Sequence, residues 1–268
     1  MSRLFRFDFL LLYACAYMVF IYAPVLLLPV FSLNDSIYVA FPLKSLTFRW
    51  YEEMANNAGL LAALENSVKI GIVVAIVSTV LGLLGAKALT RYDLPWKGPV
   101  TGLIMLPLVV PYIILGIALL AFLRKVLDVE LSLITIGLSH VMICVPFSML
   151  VLISRMEGFD KNLEEASLDL GESAWMTFWR VTFPLALPGV VASLLLSFTT
   201  SFDEFLLAFF LAGNESTLPI FIYSQLRFPN RLPSTLALGT CILVVSFIVV
   251  TFSEWLRRRG VQGKSVGI

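Results

Sequence analysis

The chain has 268 residues, 59% of them hydrophobic and 14% charged, with a formal net charge of +1 and a mean hydropathy of +0.92. An ordinary soluble domain carries nearer a quarter charged residues, so the composition excludes one and predicts an all-α integral membrane protein in a lipid bilayer. Cys15, Cys144 and Cys241 sit inside apolar runs without ligand-like or disulfide-like spacing, and His140 is the only histidine; no metal site and no catalytic residue is expected.

A hydrocarbon core of about 30 Å takes roughly 20 helical residues to cross. Six stretches qualify, at about 8–31, 66–90, 100–123, 131–154, 188–211 and 235–256. The first is too long for the apolar part of a secretory signal and is read as a retained span. Arg3, Arg6, Lys87, Arg91, Lys97, Arg155, Lys161, Arg180, Arg257, Arg258, Arg259 and Lys264 then fall on one side. The other side holds Lys44, Arg49, Lys69, Arg124, Lys125, Arg227 and Arg231. Because cytoplasmic loops are enriched in Lys and Arg, the bias predicts both termini in the cytoplasm. A single membrane domain over 1–268 is expected.

Segment 32–65, on the outside, carries Trp50 and Tyr51, rings suited to the headgroup region, and a short surface helix is expected there. Pro107 and Pro111 are expected to break or kink span three. Between spans four and five, on the inside, lies a charged insert at about 156–187. Asn162 is suited to cap a helix with Glu164 and Glu165 in its first turn. Leu163, Ala166, Leu170, Ala174, Phe178 and Val181 recur at spacings of three or four and predict an apolar face. Gly171 marks a bend, Pro184 a stop, and Pro188 the start of span five. Two short amphipathic helices follow from this, either covering the span ends or docking a soluble partner.

The insert resembles a loop of the integral membrane subunits of bacterial binding-protein-dependent ABC importers, patterned E-A-A, three residues, G, nine residues, I-x-L-P. Here the matching positions are Glu165-Ala166-Ser167, Gly171 and Val181-Thr182-Phe183-Pro184. The resemblance implies that the first helix is a coupling helix, with Glu165, Ala166, Ser167 and Gly171 contacting a cytoplasmic ATPase subunit. It also implies a pair of such ATPases, a second permease subunit, homologous or identical, and an external substrate-binding protein; no nucleic acid is expected. No phosphate-cradling loop is present, since Gly263-Lys264-Ser265 lacks the glycine five positions earlier. ATP is therefore expected on the partner subunits, with no cofactor on this chain and no enzymatic activity of its own.

Span five carries "SFTTSFDEFLLAFF". At 100° per residue Gly189, Ser193, Ser197, Thr200, Ser201, Glu204 and Ala208 share a stripe, with Asp203 at its margin. Carboxylates inside a membrane face protein or water. The stripe either packs against another helix or lines a translocation path, with Ser197, Thr200, Ser201, Asp203 and Glu204 as the path residues for a cation. "SFDEF" resembles the acid pair of the spermidine/putrescine branch of these permeases, which implies a polyamine; related branches carry opines and quaternary amines. Two rivals stand beside this reading. A gradient-driven secondary transporter would use Asp203 or Glu204 for its coupling proton, and an assembly factor would have no use for either acid.

Overall fold

The computed structural model describes Phe9–Gln262, with side chains described for residues 10–248 and residue 251. Arg3, Arg6 and the Gly263-Lys264-Ser265 stretch lie outside the described residues, as do the side chains of Arg257, Arg258 and Arg259. The helices are α1 (Phe9–Ser32), α2 (Arg49–Ala55), α3 (Ala58–Arg91), α4 (Lys97–Val109), α5 (Tyr112–Ala121) and α6 (Leu133–Glu157). They continue as α7 (Asn162–Asp169), α8 (Ala174–Thr177), α9 (Phe183–Asp203), α10 (Leu206–Leu211), α11 (Leu218–Gln225) and α12 (Leu232–Gln262). Among the described residues the sole β-pairing is an isolated antiparallel bridge between Asn34 and Leu46.

Five helical stretches among the described residues are long and apolar enough to cross a bilayer, and α4 with α5 makes a sixth if that bent pair is one span. The fold is therefore all-α, as expected. The third stretch is not a straight helix. The chain bends by 103° between its two halves, because Pro111 has no N–H and drives Val110 into extended backbone (ψ 128°). Pro107 stays inside α4. At about 1.5 Å per residue the 34-residue α3 is longer than the hydrocarbon core is thick, so it extends beyond it or tilts.

Two compact units divide the chain, one holding the described residues up to Ala58 and from Ile222 on, the other Gly59–Phe221. In the first, α12 packs against α1 and α2. The short helix expected after the first span is α2, but Trp50 does not sit among headgroups. It is buried, and its indole N–H donates to the Asn34 carbonyl at 2.9 Å. A buried indole nitrogen needs such a partner, and burying it closes the 34–50 segment on itself. Cys15 is exposed on α1.

In the second unit α6 is the central helix. Its core is Ile136, Ile143 and Cys144 against Ile70, Val74 and Leu207 at one end, and Met149, Leu152 and Met156 against Leu83, Ala86 and Ala186 at the other. Lipid-facing apolar side chains gain nothing by leaving lipid, so close packing must hold these helices together. A Cβ on Gly82 of α3 would lie 2.6 Å from Ser148 Cβ of α6, and one on Gly189 of α9 2.9 Å from Arg155 Cβ. Glycine at both positions lets the backbones approach.

Candidate functional site

Two regions of the second unit collect the chemistry. One is the insert. Helix α7 starts at Asn162, which does not cap it; the Asp160 carboxylate accepts from the Asn162 backbone N–H at 3.0 Å. Asn162 turns its amide to the same carboxylate at 3.2 Å. The Glu164 and Glu165 N–H groups, which a cap at Asn162 was expected to satisfy, instead donate to the Lys161 carbonyl at 2.9 and 3.2 Å. At the other end Gly171 has φ +90°, the Glu172 N–H donates to Ser167 O at 3.2 Å, and the Gly171 N–H donates to Leu168 O at 2.9 Å. That is a Schellman cap, and its left-handed position explains the glycine.

Pro184 does not stop the second helix. The chain passes from α8 through a π turn at Phe178–Thr182 into α9, so Ala174–Asp203 is one continuous helical stretch. Widening by one residue sets Pro184 in the first turn of α9, where a missing N–H is tolerated.

The insert presents an apolar surface. Leu163 and Leu168 on α7, and Leu170 just past its end at 87%, are exposed beside exposed Glu165 and Ala166. Ser167 is half-buried, its hydroxyl 2.9 Å from that of Thr177, which ties α7 to α8. Gly171 is exposed. Phe178 and Val181 turn inward and are half-buried, so the expected apolar face is divided between the two helices. Glu172 pairs with Arg180, and Lys87 of α3 lies over the Phe178 ring at 4.6 Å. Behind α7 a concavity of about 200 Å³ is lined by Lys87, Arg91, Lys161, Glu164, Glu165 and Thr182.

The other region is the end of α9. Its small polar residues meet neighbouring helices: Ser193 bonds Thr79 of α3 at 3.0 Å, Ser197 bonds Ser148 of α6 at 2.8 Å, and Ser201 bonds Nδ1 of His140 at 2.9 Å. Ser193, Ser197, Ser201 and His140 are all buried. Hydroxyls removed from water need such partners. Thr200 is half-buried.

The stripe does not continue through Glu204 and Ala208 as one helix. The backbone turns extended at Glu204 (ψ 119°), and its carboxylate accepts from the N–H groups of Leu206, Leu207 and Ala208 at 3.0, 2.9 and 3.2 Å. A side chain that captures the first donors of the next helix ends the preceding one. Span five thus stops at Asp203 rather than near 211, and the two acids part. Glu204 is 7% exposed, with Nε2 of His140 at 3.5 Å, whereas Asp203 is exposed between the half-buried Phe202 and Phe205.

Over residues 58–261 the chain matches the family described as binding-protein-dependent transport system inner membrane component. The chain belongs to this family. It is a permease of a binding-protein-dependent ABC importer, a transport component rather than a catalytic enzyme, and a multi-pass protein of the bacterial inner membrane. It is 34% identical over 260 residues to the spermidine/putrescine transport system permease protein PotC of Haemophilus influenzae, covering 97% of this chain and 99% of that one. To the putrescine transport system permease protein PotI of Escherichia coli K12 it is 31% identical over 248 residues, covering 90% and 87%. Its fold is similar to a chain of a bacterial alginate ABC transporter solved with an alginate pentasaccharide-bound periplasmic protein. That likeness has a TM-score of 0.73 at 14% identity, over 98% of this chain and 96% of that one.

Arg91, Thr182 and the pairing of His140 with Glu204 were not legible as site residues. Each depends on a partner far along the chain.

Proposed function

We propose that this permease carries a polyamine or a similar small organic cation into the cytoplasm. It would act with a second permease subunit, two ATPase subunits and an external binding protein. In this reading the chain crosses the membrane six times, α4 and α5 forming one broken span, with both termini and α7 in the cytoplasm. ATP is bound by the ATPases alone. The observation that carries the assignment is α7 itself: a capped helix of exposed leucines beside Glu165 and Ala166, outside the spans. An apolar patch that neither packs inside nor reaches lipid marks a protein interface. Glu165, Ala166 and Gly171 meet the ATPase, and Ser167 holds the surface in shape through Thr177.

On the solute side Asp203 faces the path with Thr200. A water-exposed carboxylate about 4 Å from an ammonium group contributes about 1 kcal/mol, enough to favour cations without trapping them. Ser197, Ser201 and Glu204 shape the path from behind, holding α9 on α6 and setting the break that turns Asp203 outward. When the ATPases close, α7 moves as a lever and the path switches from inward to outward facing.

The experiment is to purify the tagged chain gently from its native cells and assay copurifying, vanadate-sensitive ATPase. A Glu165→Lys/Gly171→Pro variant is assayed in parallel, followed by a screen of polyamines, opines and quaternary amines for stimulation. ATPase with the wild type alone supports the reading. No ATPase with either, from intact complexes, overturns it.

A further inference from the structure

Arg91, the last residue of α3, reaches two other elements. Its Nε donates to Oε1 of Glu164 on α7 at 3.0 Å, and its Nη2 donates to the Met156 carbonyl, in the last turn of α6, at 3.2 Å. Its guanidinium also lies over the Phe159 ring at 4.7 Å. The same Glu164 oxygen accepts from the Thr182 hydroxyl at 3.0 Å, one residue before α9. The Arg91 and Glu164 side chains are 7% and 14% exposed.

Each bond answers a local need. The last turn of a helix leaves carbonyls without intrahelical donors, and a cation there is favoured by the helix dipole. Arg91 therefore serves the ends of α3 and α6 together. Its charge, held away from water, requires an anion, and Glu164 supplies it from the first turn of α7. A buried ion pair contributes little net stability over an apolar pair, yet removing one partner is costly. What such a pair provides is a fixed geometry. Glu165, the next residue, is exposed and makes no ion pair among the described residues. Adjacent acids thus have separate duties, one facing inward to the spans and one facing outward.

We propose that Arg91, Glu164 and Thr182 form the latch that passes motion of α7 to the ends of α3, α6 and α9, with Glu164 as the positioning residue at its centre. This rests on α7 being the ATPase-docking helix. Among the described residues it is the one ion pair joining α7 to a membrane-spanning helix. If α7 docks but the latch is open, ATPase closure moves the helix without moving the spans.

The test uses the assembled permease–ATPase complex and hydrogen exchange with and without ATP plus vanadate. In the wild type, trapping should change exchange across 162–172 and also in the terminal turns at 84–91 and 183–190. Glu164→Gln keeps the shape and loses the charge. It should retain the ATPase and the change at 162–172 while losing the change at the other two segments. In proteoliposomes its spermidine uptake per ATP hydrolysed should fall roughly fivefold or more, the scale of an ordinary coupling free energy. Arg91→Lys, which keeps the charge but not the fork, should fall between. Thr182→Val, which leaves the ion pair intact, gives a smaller loss and serves if Glu164→Gln does not reach the membrane. Transmission to 84–91 and 183–190 that is as strong in Glu164→Gln or Thr182→Val as in the wild type overturns the latch. A wild type without ATPase overturns the docking reading and the latch with it, a result told apart because Glu165→Lys then changes nothing either.

Discussion

Asp203 and Glu204 are adjacent in sequence and opposite in environment: the first is exposed at the end of α9, and the second is 7% exposed with its carboxylate on three backbone N–H groups. A carboxyl group that accepts three donors in a dry interior is a structural element, because without it those donors have no water to turn to. Its neighbour has no such duty, and in the proposed function it is the acid that meets the solute.

The two acids should therefore fail differently. Asp203→Asn should reach the membrane at the wild-type level and lower the initial rate of spermidine uptake by about tenfold, the effect of roughly 1.4 kcal/mol. Glu204→Ala should lower the amount of folded permease, since a lost cap costs about 1–2 kcal/mol. Uptake rates normalised to immunoblotted membrane content separate the two. Wild-type uptake of every cation by Asp203→Asn would remove Asp203 from the path.

Gly171 sits at φ +90° with open space where a Cβ would go. The obstacle to a side chain is thus the backbone conformation alone, about 1–2 kcal/mol for most residues. Gly171→Ala should loosen the end of α7 and reduce the ATPase recovered per permease, and Gly171→Asn should do so less. Membrane abundance should hold in both, because α7 lies outside the spans. Equal ATPase recovery from all three proteins would mean that the cap is irrelevant to docking.

The parts of this protein legible in the sequence are those set by local pattern. Apolar runs of about 20 residues located the first, third and fourth stretches within a few residues, while the second starts earlier, at Ala58, and the fifth runs Ala174–Asp203 rather than 188–211. The Glu165 to Gly171 spacing located α7. Several local rules misled, among them the cap at Asn162 and the two that follow. Pro184 reads as a stop, but a π turn before it absorbs the mismatch. The 100° projection carried Glu204 onto the helix face, although its own carboxylate ends that helix. What could not be read at all is pairing across the fold. Arg91 and Glu164 are 73 residues apart, and Thr182 occupies a position the loop pattern leaves unspecified. No periodicity in either segment points to the other.

The α3–α6 crossing gives a stability prediction with an internal control. A Cβ at Gly82 would meet Ser148 Cβ at 2.6 Å, whereas one at Gly98 of α4 meets nothing within 4 Å. Gly82→Val should cost about 1–3 kcal/mol by overpacking and lower the thermal midpoint of the purified protein in detergent. Gly98→Ala should leave the midpoint unchanged or raise it, since alanine is the better helix former by about 1 kcal/mol. Equal midpoints for Gly82→Val and the wild type would show that the helices are free to separate there.

Ser148 and Ser197 decide whether the polar stripe of α9 belongs to packing. Their hydroxyls lie 2.8 Å apart, and both residues are buried. The Ser197 carbonyl also lies 3.7 Å from Cys144 Sγ. Interhelical hydrogen bonds in membranes are worth about 0.6 kcal/mol on average, because the separated helices find other partners. A double-mutant cycle with Ser148→Ala and Ser197→Ala should therefore return a coupling of roughly that size in unfolding free energy. Each truncation removes one buried hydroxyl and leaves the shape otherwise as before, so uptake per folded permease should be unchanged in all three variants. If Ser197→Ala instead depresses uptake while stability holds, the hydroxyl acts on the solute, and the path reaches back along α9 beyond Asp203 and Thr200 to Ser197.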